Sequence, residues 1–339
     1  FSLWNGVDET IDVDIDRSFT DLSIIGAGAG ITIIQAHASE QSGTDRLFDI
    51  TTDEQVTFED LTLRNGYLTD MGAPGNIDGA AIQADDNCAV EINNCTLSVN
   101  IASGSHGGGF AVSNNSTLSL NNSTFSGNRS IEVNPGGYGG HGAVVYLDNS
   151  DATVDNCTFE GNRCPYGGVF FTENICTVTV DDSYFNNNYS FDGGAFHCID
   201  TDLTITNSTI SNCTEGGGIL LSDGTLQMTN CTVNDNEDDG EGGGIDVDNA
   251  VVTITNCTIY NNTSGDTGGG IDYAVSTLTI TNSTVAYNEC DPSRNGGGLY
   301  QSGGTSYFKN TILANNTGMA GTRNDFYMLP GTKTSNGYN

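Results

Sequence analysis

The side chains best equipped for chemistry in this chain are carboxylates, and several recur close together. Asp246 and Asp272 hold the same place in two successive sequence repeats, with Asp248 two residues beyond the first. The acidic loop Asp235, Glu237, Asp238, Asp239 and Glu241 belongs to the same repeat as Asp246. Clustered carboxylates supply the hard oxygen ligands that a cation such as Ca2+ takes. Asp246, Asp248, Asp272, Asp238 and Asp239 are therefore the candidate metal ligands, and Ca2+ is the candidate cofactor. The bland alternative is an acidic loop that is merely solvated. A second group, Asp181 and Asp182 with His197, offers an acid pair and a base. A hydrolase needs two spaced carboxylates, and a lyase needs a base such as Arg or Lys beside acidic metal ligands. Cationic bases are scarce: Lys309, Lys333 and seven arginines. No residue stands out as catalytic.

The ten cysteines include no Cys-x-x-Cys pair, the spacing expected of metal or redox chemistry. Cys95, Cys157, Cys231 and Cys257 alternate with serines at one repeat position, so small size is what that position demands. Only Cys231 and Cys257 fall on adjacent repeats, within disulfide reach; the pattern implies buried thiols with a minority of bridges.

These candidates are positioned by a repeat. Its clearest copy runs from Thr255 to Ile271, TNCTIYNNTSGDTGGGI. Each copy has an alternating strand, then Asn followed by a small residue, then an apolar residue with Asn three places on. A variable loop and a Gly-rich tetrad follow. The residue after the strand-ending Asn or Asp is Gly66, Cys95, Ser123, Cys157, Ser183, Ser208, Cys231, Cys257, Ser283 and Thr311. The spacings are 29, 28, 34, 26, 25, 23, 26, 26 and 28. Self-similarity at this period marks a solenoid. Five and three residues before nearly every marker lie apolar pairs such as Leu118/Leu120 and Val252/Ile254, with polar residues between them, the period of a strand with one buried face. Inward positions recur two residues after the marker (Phe125, Phe159, Phe185) and after the glycines (Phe110, Phe170, Phe196). Three inward strands per rung predict three parallel sheets. The Asn column from Asn65 to Asn310 suits corners in the left-handed conformation. A second column reads Asn100, Asn128, Asn162, Asn188, Asn236, Asn262, Asn288 and Asn315, broken by Cys213. After the glycines the outward column reads Gln83, Ala111, Val144, Phe171, His197, Leu220, Asp246, Asp272 and Tyr300.

At the N-terminal end Ile11, Val13 and Ile15 alternate with Asp12, Asp14 and Asp16. Leu22–Ile25 and Ile31–Ile34 flank the Gly-rich turn 26–30. That turn lacks the following helix that phosphate binding requires. The expected fold is all-β, a single right-handed parallel β-helix over 1–339 with about eleven or twelve rungs. Residues 1–57 form N-terminal rungs, 58–315 the regular repeats and 316–339 a C-terminal edge.

Lys and Arg total 9 against 43 Asp and Glu, a net charge of −34. Such a surface repels phosphate backbones and anionic lipid, so neither nucleic acid nor membrane insertion is expected. No apolar run is long enough to span a bilayer. Because the chain begins with Phe1, a processed or excerpted secreted segment is expected, extracellular or at the cell surface.

The motifs GGAF (193–196), GGGI (216–219, 242–245, 268–271), FSGN (125–128), FEGN (159–162) and FNNN (185–188) resemble the repeats of polymorphic membrane protein autotransporter passengers over roughly 58–315. The resemblance implies a right-handed parallel β-helix displayed at a surface and used in adhesion. Gly140-His141-Gly142 resembles the Gly-His-Gly of polygalacturonases, without their carboxylate motifs, and places His141 at a repeat glycine. Three functions follow as expectations. The first is a non-enzymatic surface or matrix protein for adhesion or end-to-end assembly, with host or matrix glycans, proteins or further copies as partners. It is prompted by strand edges that no amphipathic terminal helix covers. The second is a polysaccharide lyase or glycoside hydrolase acting on acidic polysaccharide. The third is a cation- or ice-binding solenoid, the latter suggested by the outward pairs Thr177/Thr179, Thr204/Thr206, Thr253/Thr255 and Thr279/Thr281. Gln227 interrupts them, and threonine is a common exposed strand residue.

Overall fold

A computed structural model describes residues 13–15, 21–36, 46–69, 78–132, 139–318, 324–329 and 332–335. Of the alternation expected over 11–16, residues 11, 12 and 16 lie outside these residues; Val13–Ile15 is a strand paired with Phe48–Ile50.

One coil shows how the repeat becomes a solenoid. Phe110–Ser113 and Thr117–Asn121 run along one face, Asn122 turns the chain, and Thr124–Ser126 forms the next face. Gly127 makes a second left-handed corner, with Asn128 buried behind it, and Arg129–Ile131 follows. The next coil repeats the path in parallel register, with Phe110 opposite Val145, Thr117 opposite Asp151 and Thr124 opposite Thr158. The sheet containing Thr124–Ser126 has eleven strands, one per coil, so about ten full turns separate its first from its last. The long sheet continues beyond residue 315 through Phe326–Met328 and Thr332–Ser335. Among the described residues no helix is long and apolar enough to cross a membrane.

The faces are composed differently from the sequence expectation. The strand after the glycines and the strand before the corner Asn share one sheet. In three coils they fuse into 11-residue strands, Phe196–Thr206, Ile219–Thr229 and Ile245–Thr255. The third face is built from strands of two or three residues such as Ile101–Ser103, a stretch read as loop. These short strands are defined by backbone pairing to the neighbouring coil, and they are too brief to carry a visible alternation.

Most inward side chains join one core running from Leu47 to Phe308, and Leu68, Ala80 and Ala102 form a small separate cluster. Phe125, Phe159 and Phe185 stack ring on ring, with centroids 4.7 and 4.6 Å apart. The corner Asn residues have φ between 48 and 59°. Several pass a hydrogen bond outward from coil to coil, as from Asn156 Nδ2 to Asn122 Oδ1 at 2.8 Å. The second Asn column is a buried ladder. Asn262 Nδ2 donates to Asn288 Oδ1 at 2.9 Å and to the Val233 carbonyl at 3.1 Å, and its Oδ1 accepts from Asn236 N and Nδ2. The column ends on Asn316, which accepts from Asn288 and donates to Asp325. Asn315 instead takes the left-handed corner one residue earlier.

The glycine triads divide their work. The first glycine supplies positive φ, as at Gly268 (64°), and the others permit close approach of coils. A Cβ on Gly270 would lie 2.5 Å from the Gly298 carbonyl oxygen. All ten cysteines are buried and unbridged. Cys231 and Cys257 are neighbours, but the Cys231 amide donates to Cys257 Sγ at 3.4 Å and each thiol donates to a carbonyl.

Candidate functional site

The outward column after the glycines holds the side chains with chemistry. In coil order it reads Gln83, Ala111, Tyr146, Phe171, His197, Leu220, Asp246, Asp272, Tyr300 and Tyr327. Tyr146 replaces the expected Val144, which is fully buried. In this coil Gly142 has the positive φ (65°), so Gly142-Ala143-Val144 stands where other coils have three glycines and shifts the register by two. His141 accordingly does not replace a repeat glycine. It precedes one, and stacks on His106 at 4.7 Å.

Asp246 and Asp272 are direct neighbours, as their repeat positions predict. Asp246 lies on an open cleft of roughly 460 Å3 whose walls are loops leading into the glycine triads, and Asp272 is buried beside it. Phe191, Asp192, Glu215, Asp238, Asp239, Glu241 and Asp246 line it. Oxygens of Glu241, Asp246 and Asp272 all lie within 4.8 Å of one another. Of the predicted ligands, Asp246 and Asp272 join this cluster, Asp238 and Asp239 line the walls, and Asp248 sits apart, two residues further along its strand. Glu241 was legible as part of the acidic loop, but only the fold turns it onto the aspartate pair.

Burial dominates the electrostatics. It raises Asp246 well above the usual carboxylate range, reinforced by Asp272 and Glu241. Asp272 rises to about 7, through burial and then Glu241 and Asp266, although Thr267 Oγ1 donates to its Oδ2 at 2.5 Å. Asp238 also rises to about 7, with burial first and Asp192 next among the raising causes. Carboxyl groups held neutral near pH 7 can donate a proton to a bound molecule.

Towards the N-terminal side the cleft runs into aromatic rings. Phe171 packs against His141 at 4.4 Å and His197 at 5.0 Å, and Tyr146 stacks on His106 at 4.7 Å. Burial lowers both His141 and His197 to about 4, so both are neutral at physiological pH. Asp181 does not meet His197. It faces Asp155 and binds Thr206 and Asn207, with Asp182 beside it. The outward threonines form the column Thr153, Thr179, Thr204, Gln227, Thr253 and Thr279, interrupted where expected.

The family described as right handed beta helix region matches residues 46–202 and 143–317. No curated protein sequence matches the chain. One similar solved structure is the catalytic unit of thermostable GH87 alpha-1,3-glucanase from Streptomyces thermodiastaticus strain HF3-3. It is 12% identical with a TM-score of 0.36, over 97% of this chain and 60% of that one, so the chain spans about three fifths of its length. Another is the mannuronan C-5 epimerase AlgE6 A-module of Azotobacter vinelandii, 14% identical with a TM-score of 0.28, over 94% of this chain and 83% of that one. At this level of likeness neither bears on the chemistry of this chain.

Proposed function

The chain belongs to the right handed beta helix region family, and we propose that it works as an extracellular polysaccharide hydrolase. The observation that carries the reading is Asp246, a carboxyl on an open cleft whose pKa burial raises well above the usual range, with oxygens of Glu241 and Asp272 within 4.8 Å. Asp246 is the general acid. It protonates the glycosidic oxygen as the bond to the anomeric carbon breaks. Oxygens within 4.8 Å fall short of the roughly 6.5–9.5 Å carboxyl separation of an inverting site, a spacing that suits direct attack by the partner carboxylate of Glu241. The resulting glycosyl ester is then displaced by water, which Asp246 deprotonates as it regains its proton. Asp272, in contact with both, helps keep Asp246 protonated. The extracellular setting follows from the polymeric substrate and agrees with the strongly acidic surface.

The test is reducing-sugar release from a panel of polysaccharides by wild type and Asp246→Asn. The variant is expected to lose at least about a thousandfold in rate, the scale of losing an essential acid. No cleavage of any polymer, or an active Asp246→Asn, would sink the reading.

The same three carboxylates favour a second reading. Their spacing suits a Ca2+ site, with wall oxygens and water completing the six to eight ligands Ca2+ takes. A cation there would tie two coils together and leave the long faces for adhesion or end-to-end assembly. Light scattering and negative-stain microscopy with and without millimolar Ca2+ test it: filaments or Ca2+-dependent oligomers support it, and a monomer in both conditions removes assembly.

A further inference from the structure

The column that carries the acids does not end with them. Next in register after Asp272 come Tyr300 and Tyr327, both half-buried, their rings nearly parallel at 8° with centroids 5.6 Å apart. On the opposite side Leu220 and His197 continue the floor. Above them Phe191, 49% exposed, reaches into the cleft from a wall and is braced by Tyr166 and Tyr189 at 6.2 and 5.7 Å. Ring surfaces therefore flank the acid centre in both directions along the coil axis. At about 4.8 Å per coil, the five steps from His197 to Tyr327 span about 24 Å, room for several linked sugars.

Charge narrows the ligand. The cleft lining contains acidic side chains and neither lysine nor arginine. The arginines nearest the groove are already engaged, Arg294 with Asp266 at 3.0 Å and Arg163 over the Tyr189 ring at 3.9 Å, so an anionic chain entering the lining would meet repulsion. The C–H face of a neutral sugar ring, by contrast, packs on the electron-rich face of an aromatic ring with no charge required.

We infer that the cleft takes an uncharged polysaccharide laid along the coil axis, held on both sides of the acid centre, with Phe191 and the Tyr300–Tyr327 pair as stacking platforms. The inference rests on reading the cleft as a glycan site, and it replaces the acidic polysaccharide expected from sequence with a neutral one. A chain held on both sides of the acids is cut internally.

Titration calorimetry on Asp246→Asn, in which turnover is slow on the timescale of the titration, tests it with neutral glucan, mannan and xylan oligosaccharides of increasing length and with oligogalacturonate. Affinity should rise with length for a neutral series and be absent for oligogalacturonate. Phe191→Ala and Tyr300→Ala should each weaken binding about tenfold, while Tyr300→Phe retains it. Melting curves establish that each variant is folded. Tighter binding of oligogalacturonate, no binding of any neutral series, or unchanged affinity in a folded Tyr300→Ala overturns the inference. Neutral binding without turnover by wild type defeats the hydrolase reading and leaves the ligand class standing. Cleavage of an anionic polymer does the reverse.

Discussion

Asp272→Asn probes what it costs the fold to gather its acids. Asp272 is 2% exposed and shares its oxygen cluster with Asp246 and Glu241, and its pKa rises from the ordinary 3.8 to about 7. Between those values the native state binds the proton more tightly than the unfolded chain. The proton's contribution to stability is therefore fully present below about pH 4 and is lost as pH rises through about 7. At 1.36 kcal/mol per pH unit the gap corresponds to at most about 4 kcal/mol. Asp238 and Asp246 titrate in the same cleft and water reaches its mouth, so about 2 kcal/mol is expected for Asp272 alone. Asparagine keeps the shape, still accepts the Thr267 hydrogen bond and has no charge to desolvate. At pH 8 the variant should be more stable than wild type by about 2 kcal/mol, and at pH 4 the two should coincide. His141 and His197, lowered to about 4, act oppositely: their contribution is lost as pH falls from about 6.5 towards 4. They are the same in both proteins and cancel in the difference. Urea unfolding followed by circular dichroism at pH 4, 6 and 8 measures it. A difference that does not grow with pH, or a variant weaker than wild type at pH 8, refutes the reasoning. If the cluster holds Ca2+, millimolar Ca2+ should raise wild-type stability at pH 8 and leave the variant nearly unchanged.

Asn262→Ala removes two donated and two accepted hydrogen bonds from the buried ladder. The loss should be about 3–5 kcal/mol, since buried partners are left unpaired, and hydrogen exchange should place it in the neighbouring coils; a loss below about 1 kcal/mol would show that the ladder is not structural. The thiols should be inert: burial raises Cys164, Cys198 and Cys213 to about 12, and Cys257, lowered by its contact with Cys231, is itself shut off from solvent. A thiol reagent should label almost none of the ten cysteines in native protein and all ten in denaturant, whereas fewer than ten after unfolding without reductant would reveal a bridge.

The repeat was readable because each of its requirements is local. An alternating strand needs only residues two apart. A left-handed corner needs Asn or Gly at one place, and Asn94, Asn122 and Asn256 all take it. Register failed where the local signal was duplicated. Two glycines flank His141, and the wrong alignment hid Tyr146 and with it the aromatic column. Adjacent asparagines at 315 and 316 exchanged the corner for the ladder in the same way.

The sequence by itself determined the coil: an all-β parallel solenoid, its corners, its ladder, its buried small-residue column and the pairing of Asp246 with Asp272. Each of these follows from period and from backbone conformation, which short stretches encode. Only the tertiary structure decided the cleft. Loops of unequal length carry Phe191, Asp238 and Glu241, and no period says how far such a loop folds back over the sheet. Whether a carboxyl is neutral depends on how much water its neighbours exclude, and the neighbours of Asp246 and Asp272 come from different coils. Coiling turns a separation of about one repeat along the chain into direct contact between coils, and there three ordinary acids, graded from exposed Glu241 to buried Asp272, become one cluster.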